Sequence, residues 1–259
     1  MEEQTENLKV SIISVVHKDE VFQNYLKPSI DKQKGVDIEL IVVDNTSNQF
    51  SSLSKAFNNG VSKVTNDWIM FIHPDVVFLD NYSAHDLLEN VNKSCIEDST
   101  IALWGVAGVT EQRGSRVITT IEQGQTHIKS TYSFSHDYEY VQTVDACCFL
   151  LRRDTLREFP FWEELSGYHM AVEELCLTLK ENGKHIVTIP SRLWHLSTGA
   201  SLDYTYYRET RKVIRRHKEL KGLRTTGFEW NNTKFLPCIL WYYQVRNYIH
   251  HIFRYLRRK

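Results

Sequence analysis

Short apolar runs alternate with amphipathic stretches and turn residues over most of the chain. Lys9–Val16 (KVSIISVV) and Ile38–Asp44 (IELIVVD) are rich in β-branched residues and almost continuously apolar. Such runs need burial on both faces, as in a parallel sheet. Between them Val21–Ser29 has helical spacing. Asn45-Thr46-Ser47-Asn48 is turn chemistry that offers caps to a helix over Ser52–Val64. Trp68–Ile72 is the third strand, and Asn81–Cys95 the next helix. Ile101–Val109 and Val141–Leu151 read as further buried strands, and a helix from Gly167 to about Asn182 is stopped by Gly183. Ile186–Ile189 and Arg192–Leu196 are short strands. Strands and helices in this rhythm predict an α/β fold of βαβ units with right-handed crossovers. The polar, Gly-spotted text from Thr110 to Asp137 fits either a hairpin over Arg116–Ile121 and His127–Tyr132 or a mobile loop.

The run Trp68–Phe78 carries the first candidate chemistry. Pro74 has no N–H for a ladder, so the strand should stop there and expose His73 and Asp75. In open α/β sheets ligands bind at the carboxyl ends of the strands. An imidazole and a carboxylate two residues apart can face one divalent cation; the plain alternative is an Asp that caps the following turn. Asp145 lies inside an apolar run and must be paired or placed at a site. Glu173 and Glu174 fall in the first turns of a helix, where its dipole favours acids. His195, after Trp194, reads by itself as a hydrogen-bonded core histidine.

Composition narrows the classes. The 259 residues can bury a sizeable core, with 42% hydrophobic and 24% charged residues, ordinary for a globular protein. The acidic start, Met1–Glu6, has no apolar stretch behind it and is not a signal peptide. Five cysteines, two adjacent (Cys147, Cys148) and most in apolar runs, suit reduced thiols in a cytoplasmic protein. GxGxxG and GxxxxGK[ST] are both absent, which speaks against a dinucleotide dehydrogenase or a P-loop enzyme. A nucleotide would have to be held by carboxylates and a metal. The net charge of −1 hides a split: residues 200–259 hold 14 Lys+Arg and 4 Asp+Glu, the rest 17 and 28. A basic tail on an acidic body suggests an anionic partner.

These pieces, in order, resemble the family 2-type glycosyltransferases of the GT-A fold, and most of all a bacterial branch whose metal motif is written His-Gln-Asp-Val. The matching stretches are Val10–Val16, Ile41–Ser47, Phe57–Gly60, Phe71–Val76 (FIHPDV), Gly105–Gly108, Val144–Arg153, Gly167–Leu177 and His195–Gly199. The resemblance implies a Rossmann-like, mostly parallel central sheet flanked by helices and a nucleotide-diphospho-sugar donor. It implies Asp44 or Asn45 against the base or ribose, beside the strand end at Val16 and His17. It implies Asp75 binding Mn²⁺ or Mg²⁺, with His195 completing the coordination. His73 stands where the usual acid of the motif would be, which favours Mn²⁺. The helix that carries the general base of inverting relatives has Val172 at that position. Glu174 matches its later acid and is the first choice; Glu173, His169 and Asp145 are the other candidates.

The tail completes the expectation. Residues 200–224 read as a basic helix, and Cys238–Arg257 as a second one that is too charged to span a bilayer. Its aromatic and basic faces suit an anionic membrane surface, or packing on the body or on a twin subunit in a homodimer. The chain is thus expected to be a GT-A domain over residues 1–200 with a helical extension over 201–259. It would transfer a sugar to a glycan or lipid-linked acceptor, with inversion, in the cytoplasm or on the inner face of the membrane, with no nucleic acid partner. The rivals are a nucleotidyltransferase, whose Gly- and Arg-rich signature is absent, and an inactive relative that binds nucleotide or glycan.

Overall fold

The computed structural model describes residues 8–112, 114, 116–197, 204–231 and 235–256, with side chains up to residue 249. The apolar runs form a seven-stranded sheet. Its members are β1 (Leu8–Val16), β2 (Val36–Asp44), β3 (Trp68–Ile72), β5 (Ile101–Gly105), β9 (Glu139–Tyr140), β11 (Cys148–Arg152) and β12 (His185–Thr188), in the order β2-β1-β3-β11-β5-β12-β9. β1 pairs in parallel with β2 and β3, and β5 with β12; β11 and β9 run against their neighbours. The sheet is therefore mostly parallel. β2 lies on one side of β1 and β3 on the other, which places the crevice between strand ends at β1 and β3.

Helices cover both faces. α1 (Asp19–Asn24) and α2 (Leu26–Ile30) replace the single helix expected over 21–29. Pro28 cannot donate to the carbonyl one turn earlier, and the helix breaks at Tyr25. α3 (Leu53–Val61) is capped by Ser52, whose hydroxyl accepts from Lys55 N at 3.3 Å. α4 (Ser83–Glu97), α5 (Arg153–Glu158) and α6 (Ala171–Glu181) follow. Between α3 and the sheet, Phe71 of β3 stacks on Phe149 of β11 at 4.7 Å, and Phe57 and Phe161 close on the same pair. These aromatic contacts make the register of β3 on β11 costly to shift.

Two of the expected strands are broken, and the breaks create the site. Ile101–Val109 divides at Val106 into β5 and β6 (Ala107–Val109); Val141–Leu151 divides into β10 (Thr143–Val144) and β11. A Cβ on Gly105 would lie 2.5 Å from Val144, so only glycine permits this approach. β6 leaves the main sheet to pair with β10 and with β7 (Val117–Thr119). β4 (Val76–Phe78), β13 (Leu193–His195) and β8 (Glu122–Gln123) form another small sheet. The polar 110–137 stretch thus supplies strands to two sheets rather than a hairpin of its own, its one local pairing among the described residues being Gln123 with Ile128. Its alternating pattern was too short to say which edge each strand would join.

The tail departs most from expectation. α7 (Tyr204–Arg216) is shorter than the helix expected over 200–224, whose first four residues lie outside the described ones. It is followed by a hairpin, β14 (Gly222–Arg224) and β15 (Glu229–Asn231), and by α8 (Leu236–Leu256); Arg257 also lies outside the described residues. Leu165, Met170 and Leu177 of the body share an apolar cluster with Tyr206, Val213, Leu223, Leu236 and Leu240 of the tail. This cluster draws on residues from both sides of the boundary expected at residue 200, which itself lies outside the described residues.

Candidate active site

The end of β3 positions the first ligand group. His73 N donates to Cys147 O at 2.8 Å, Pro74 ends the ladder, and Val76 N closes a turn on His73 O at 3.1 Å. β4 then pairs antiparallel with β13, setting His195 opposite Val76, and Leu196 N donates to Asp75 O at 3.0 Å. This register, between segments 120 residues apart in sequence, brings His195 to Asp75. Its Nε2 lies 3.3 Å from Asp75 Oδ1 without hydrogen-bond alignment, and this buried nitrogen has no other partner. Among the described residues, His73, Asp75 and His195 form the one group of His, Cys, Asp or Glu suited to a metal, with ligand atoms all within 4.8 Å of one another. A buried imidazole nitrogen left without a hydrogen bond beside a carboxylate fits a divalent cation.

The triad opens into a cavity of about 750 Å³ whose wall includes Asp145, Glu173, His169 and Tyr206. Burial would raise the Asp75 carboxyl, yet His195 and His73 hold it below its usual range. Burial would also raise Asp145, but the Thr226 hydroxyl, the His73 ring and the Cys147 N–H hold it low. Burial keeps His73 below its ordinary value, against the pull of both carboxylates. Two ionised carboxylates and a neutral imidazole are the protonation states that cation binding requires. Glu173 has no such support. Burial, with a smaller push from Asp145, raises its pKa to about 7 against the pull of a backbone N–H.

The two candidate glutamates part company. α6 starts from Met170, held in the left-handed region at φ 67° on the cavity wall, and such strain persists only where the surroundings impose it. Successive helical residues point about 100° apart. Glu173 lines the cavity, whereas Glu174 is turned toward α7, accepts from Thr178 Oγ1 at 2.9 Å, and pairs with Arg216 Nε at 3.0 Å and His217 Nε2 at 3.5 Å. Although burial opposes it, Glu174 and Glu181 hold the His217 imidazole above its ordinary pKa. Glu174, the first choice from sequence, therefore ties the tail to the body and does not reach the cavity.

On the donor side expected from sequence, Asp44 is exposed and accepts from Thr46 N and Oγ1, at 2.8 and 2.7 Å. Asn45 is fully buried; its amide donates to Tyr168 Oη at 2.6 Å and to Phe50 O at 3.3 Å. His17 packs edge-on to Tyr168, with ring centroids 4.6 Å apart. Val16, His17, Asp44 and Asn45 are not part of the cavity wall, but Tyr168 is. Sequence reasoning passed over Tyr168, Tyr206 and Thr226, because nothing in their local patterns marks them.

The comparisons with known proteins bear on the family and the fold. The profile of the "Glycosyltransferase like family" matches residues 11–218. Among solved structures, S. aureus TarS superposes with a TM-score of 0.55 at 13% identity, over 81% of this chain and 39% of that chain. Its 1–349 form in complex with UDP gives 0.55 and 13%, over 80% of this chain and 65% of that chain. GalNAc-T7 with UDP, GalNAc and Mn2+ gives 0.52 and 12%, over 80% and 48%. This chain spans less than two thirds of these relatives' length, and at such identities the likeness establishes the GT-A fold. No curated protein matches the sequence.

Glu174→Ala would leave Arg216 without its carboxylate and the buried His217 with Glu181 alone. It should destabilise the chain by about 3 kcal/mol, the low end for a broken buried pair because Arg216 reaches solvent. Urea unfolding monitored by tryptophan fluorescence measures this.

Proposed function

The chain belongs to the glycosyltransferase-like family, and on that premise we propose that its cavity moves a sugar from a nucleotide-diphospho-sugar to a hydroxyl of a glycan or lipid-linked acceptor. The observation that carries this reading is the convergence of His73, Asp75 and His195, with a buried imidazole nitrogen that makes no aligned hydrogen bond, on the cavity that Glu173 also lines.

His73, Asp75 and His195 would hold a divalent cation, and two imidazoles with one carboxylate favour Mn²⁺ over Mg²⁺. When bound, such a cation neutralises charge on the diphosphate leaving group. Glu173 is the general base: a carboxylate with a pKa of about 7 is half ionised at neutral pH and, when ionised, is basic enough to accept a proton from an acceptor hydroxyl. As the hydroxyl oxygen bonds to the anomeric carbon, its proton passes to Glu173 and the bond to the diphosphate breaks, its electron pair leaving with the nucleotide. A single displacement of this kind inverts the configuration. Tyr168, braced by Asn45, and the exposed Asp44 lie on the side expected to meet the nucleoside. His169 and Asp145, also on the cavity wall, support rather than replace Glu173.

The tail offers a surface for a lipid-linked acceptor. Leu236 and Leu240 bury one side of α8, while Trp241, Tyr242, Val245, Tyr248 and Ile249 lie exposed on the other. No Asp or Glu follows Glu229, and five Lys or Arg lie from residue 246 onward. An aromatic, cationic helix face suits the headgroup level of an anionic membrane. No helix among the described residues is long and apolar enough to cross one.

Asp75→Ala should abolish Mn²⁺-dependent binding of UDP-sugars, followed by isothermal calorimetry, with the fold intact by circular dichroism. Binding equal to that of the unaltered chain would remove the metal assignment.

Glu173→Gln should lower turnover by about 10²–10⁴-fold without weakening donor binding. The turnover of the unaltered chain should rise with pH through a midpoint of about 7 as the base ionises; the variant should lose that rise. Unchanged turnover would show that the base lies elsewhere. If the chain binds donor but never turns it over, a nucleotide-sugar-binding relative is the better description.

Val245→Glu with Ile249→Glu should abolish co-sedimentation with phosphatidylserine vesicles at low salt while leaving the melting temperature unchanged. A full-length chain that stays in the supernatant at low salt would count against the membrane surface and favour a twin subunit on α8.

A further inference from the structure

We propose that the C-terminal hairpin β14–β15 is part of the cation site, and that Thr226 is a positioning residue that acts on it through Asp145. The proposal rests on the reading of His73, Asp75 and His195 as that site. The family match ends at residue 218, and the hairpin lies beyond it. Its turn nevertheless supplies Thr225, Thr226 and Gly227 to the cavity wall.

The hairpin is fastened rung by rung to the broken strand that carries Asp145. Gln142 Nε2 donates to Gly222 O at 2.9 Å, and Gln142 Oε1 accepts from Arg224 N at 2.7 Å. Thr143 Oγ1 donates to Arg224 O at 2.5 Å. Thr226 is the last rung, and its Oγ1 donates to Asp145 Oδ2 at 2.6 Å. The other carboxylate oxygen, Oδ1, accepts from Cys147 N at 2.9 Å. With both oxygens engaged, the carboxylate is fixed in orientation toward the cavity, where its charge and the His73 ring act on each other. Cys147 joins the two, since its N donates to Asp145 while its O accepts from His73 N at 2.8 Å, and a carboxylate held beside a metal-ligating histidine raises its basicity.

The hydroxyl of Thr226 is not needed to close its own turn. That turn is closed by Thr225, whose N donates to Phe228 O at 2.8 Å and whose Oγ1 accepts from Phe228 N at 3.0 Å. The short bond from Thr226 to an ionised acceptor is of the strong, charge-assisted kind. Cation binding and hairpin docking would therefore strengthen each other, by linkage.

The test is Mn²⁺ binding to the full-length chain, followed by the free-ion electron paramagnetic resonance signal without nucleotide. Thr226→Val keeps the shape and removes the hydroxyl, and should raise the dissociation constant about tenfold, the low end for loss of an outer-shell partner. Thr226→Ser should restore it. Should the valine variant not fold, Thr226→Ala makes the same comparison. A valine variant that binds as tightly as the unaltered chain, or a serine variant as weak as valine with both folded, overturns the proposal. An unaltered chain that binds no Mn²⁺ fails differently, since it removes the cation site itself and this inference with it.

Discussion

Three carboxylates, Asp75, Asp145 and Glu173, line one half-open cavity, and the cost of partly burying their charges is the constraint that the surrounding structure answers. Burying a charge without a partner is expensive. Each acid meets that cost differently: Asp75 through two imidazoles, Asp145 through a hydroxyl, an amide and His73, and Glu173 by holding its proton up to about pH 7. A divalent cation would offset the same cost. The breaks in the chain at Val106 and at 145–147 follow, because straight strands there would leave Asp145 inside the sheet rather than at its opening. Gly105 is the steric condition for that bend.

Glu173 and Glu174 show how one residue of helical rotation separates stability from chemistry. Both sit in the first turn of α6, and both are favoured there by the helix dipole. Glu174 meets Arg216 and His217 and holds α7 against the body. Glu173 meets the cavity and is left partly protonated, which destabilises the fold as pH rises: the folded chain keeps a proton that the unfolded chain releases near pH 4.5. That cost grows between about 4.5 and 7 and is constant above. A residue kept in so unfavourable a state is a reasonable place to look for proton transfer.

The C-terminal segment is bound into this arrangement rather than appended to it. α7 contributes Tyr206 to the cavity wall and the hairpin contributes Thr226, while the apolar cluster beneath them is drawn from body and tail together. The candidate cation site, the cavity and the tail therefore share contacts. The exposed side of α8 is the part of the tail that this packing leaves uncovered.

Much of this was legible in the sequence because burial and periodicity are local signals. The apolar runs become β1, β2 and β3, Pro74 ends β3 where a missing N–H must, and Ser52 caps α3. The ordered motifs pointed to a GT-A glycosyltransferase, and the family match and the fold agree. His73, Asp75 and His195 could each be named, but only the register of β4 on β13 brings the last beside the second. The choice between Glu173 and Glu174 needed the direction from which α7 approaches α6, and a helical pattern with apolar neighbours on both sides does not contain it. Thr226 was silent in sequence for the same reason. Its meaning comes from a carboxylate 81 positions away, and a contact of that range is decided by how the whole chain packs.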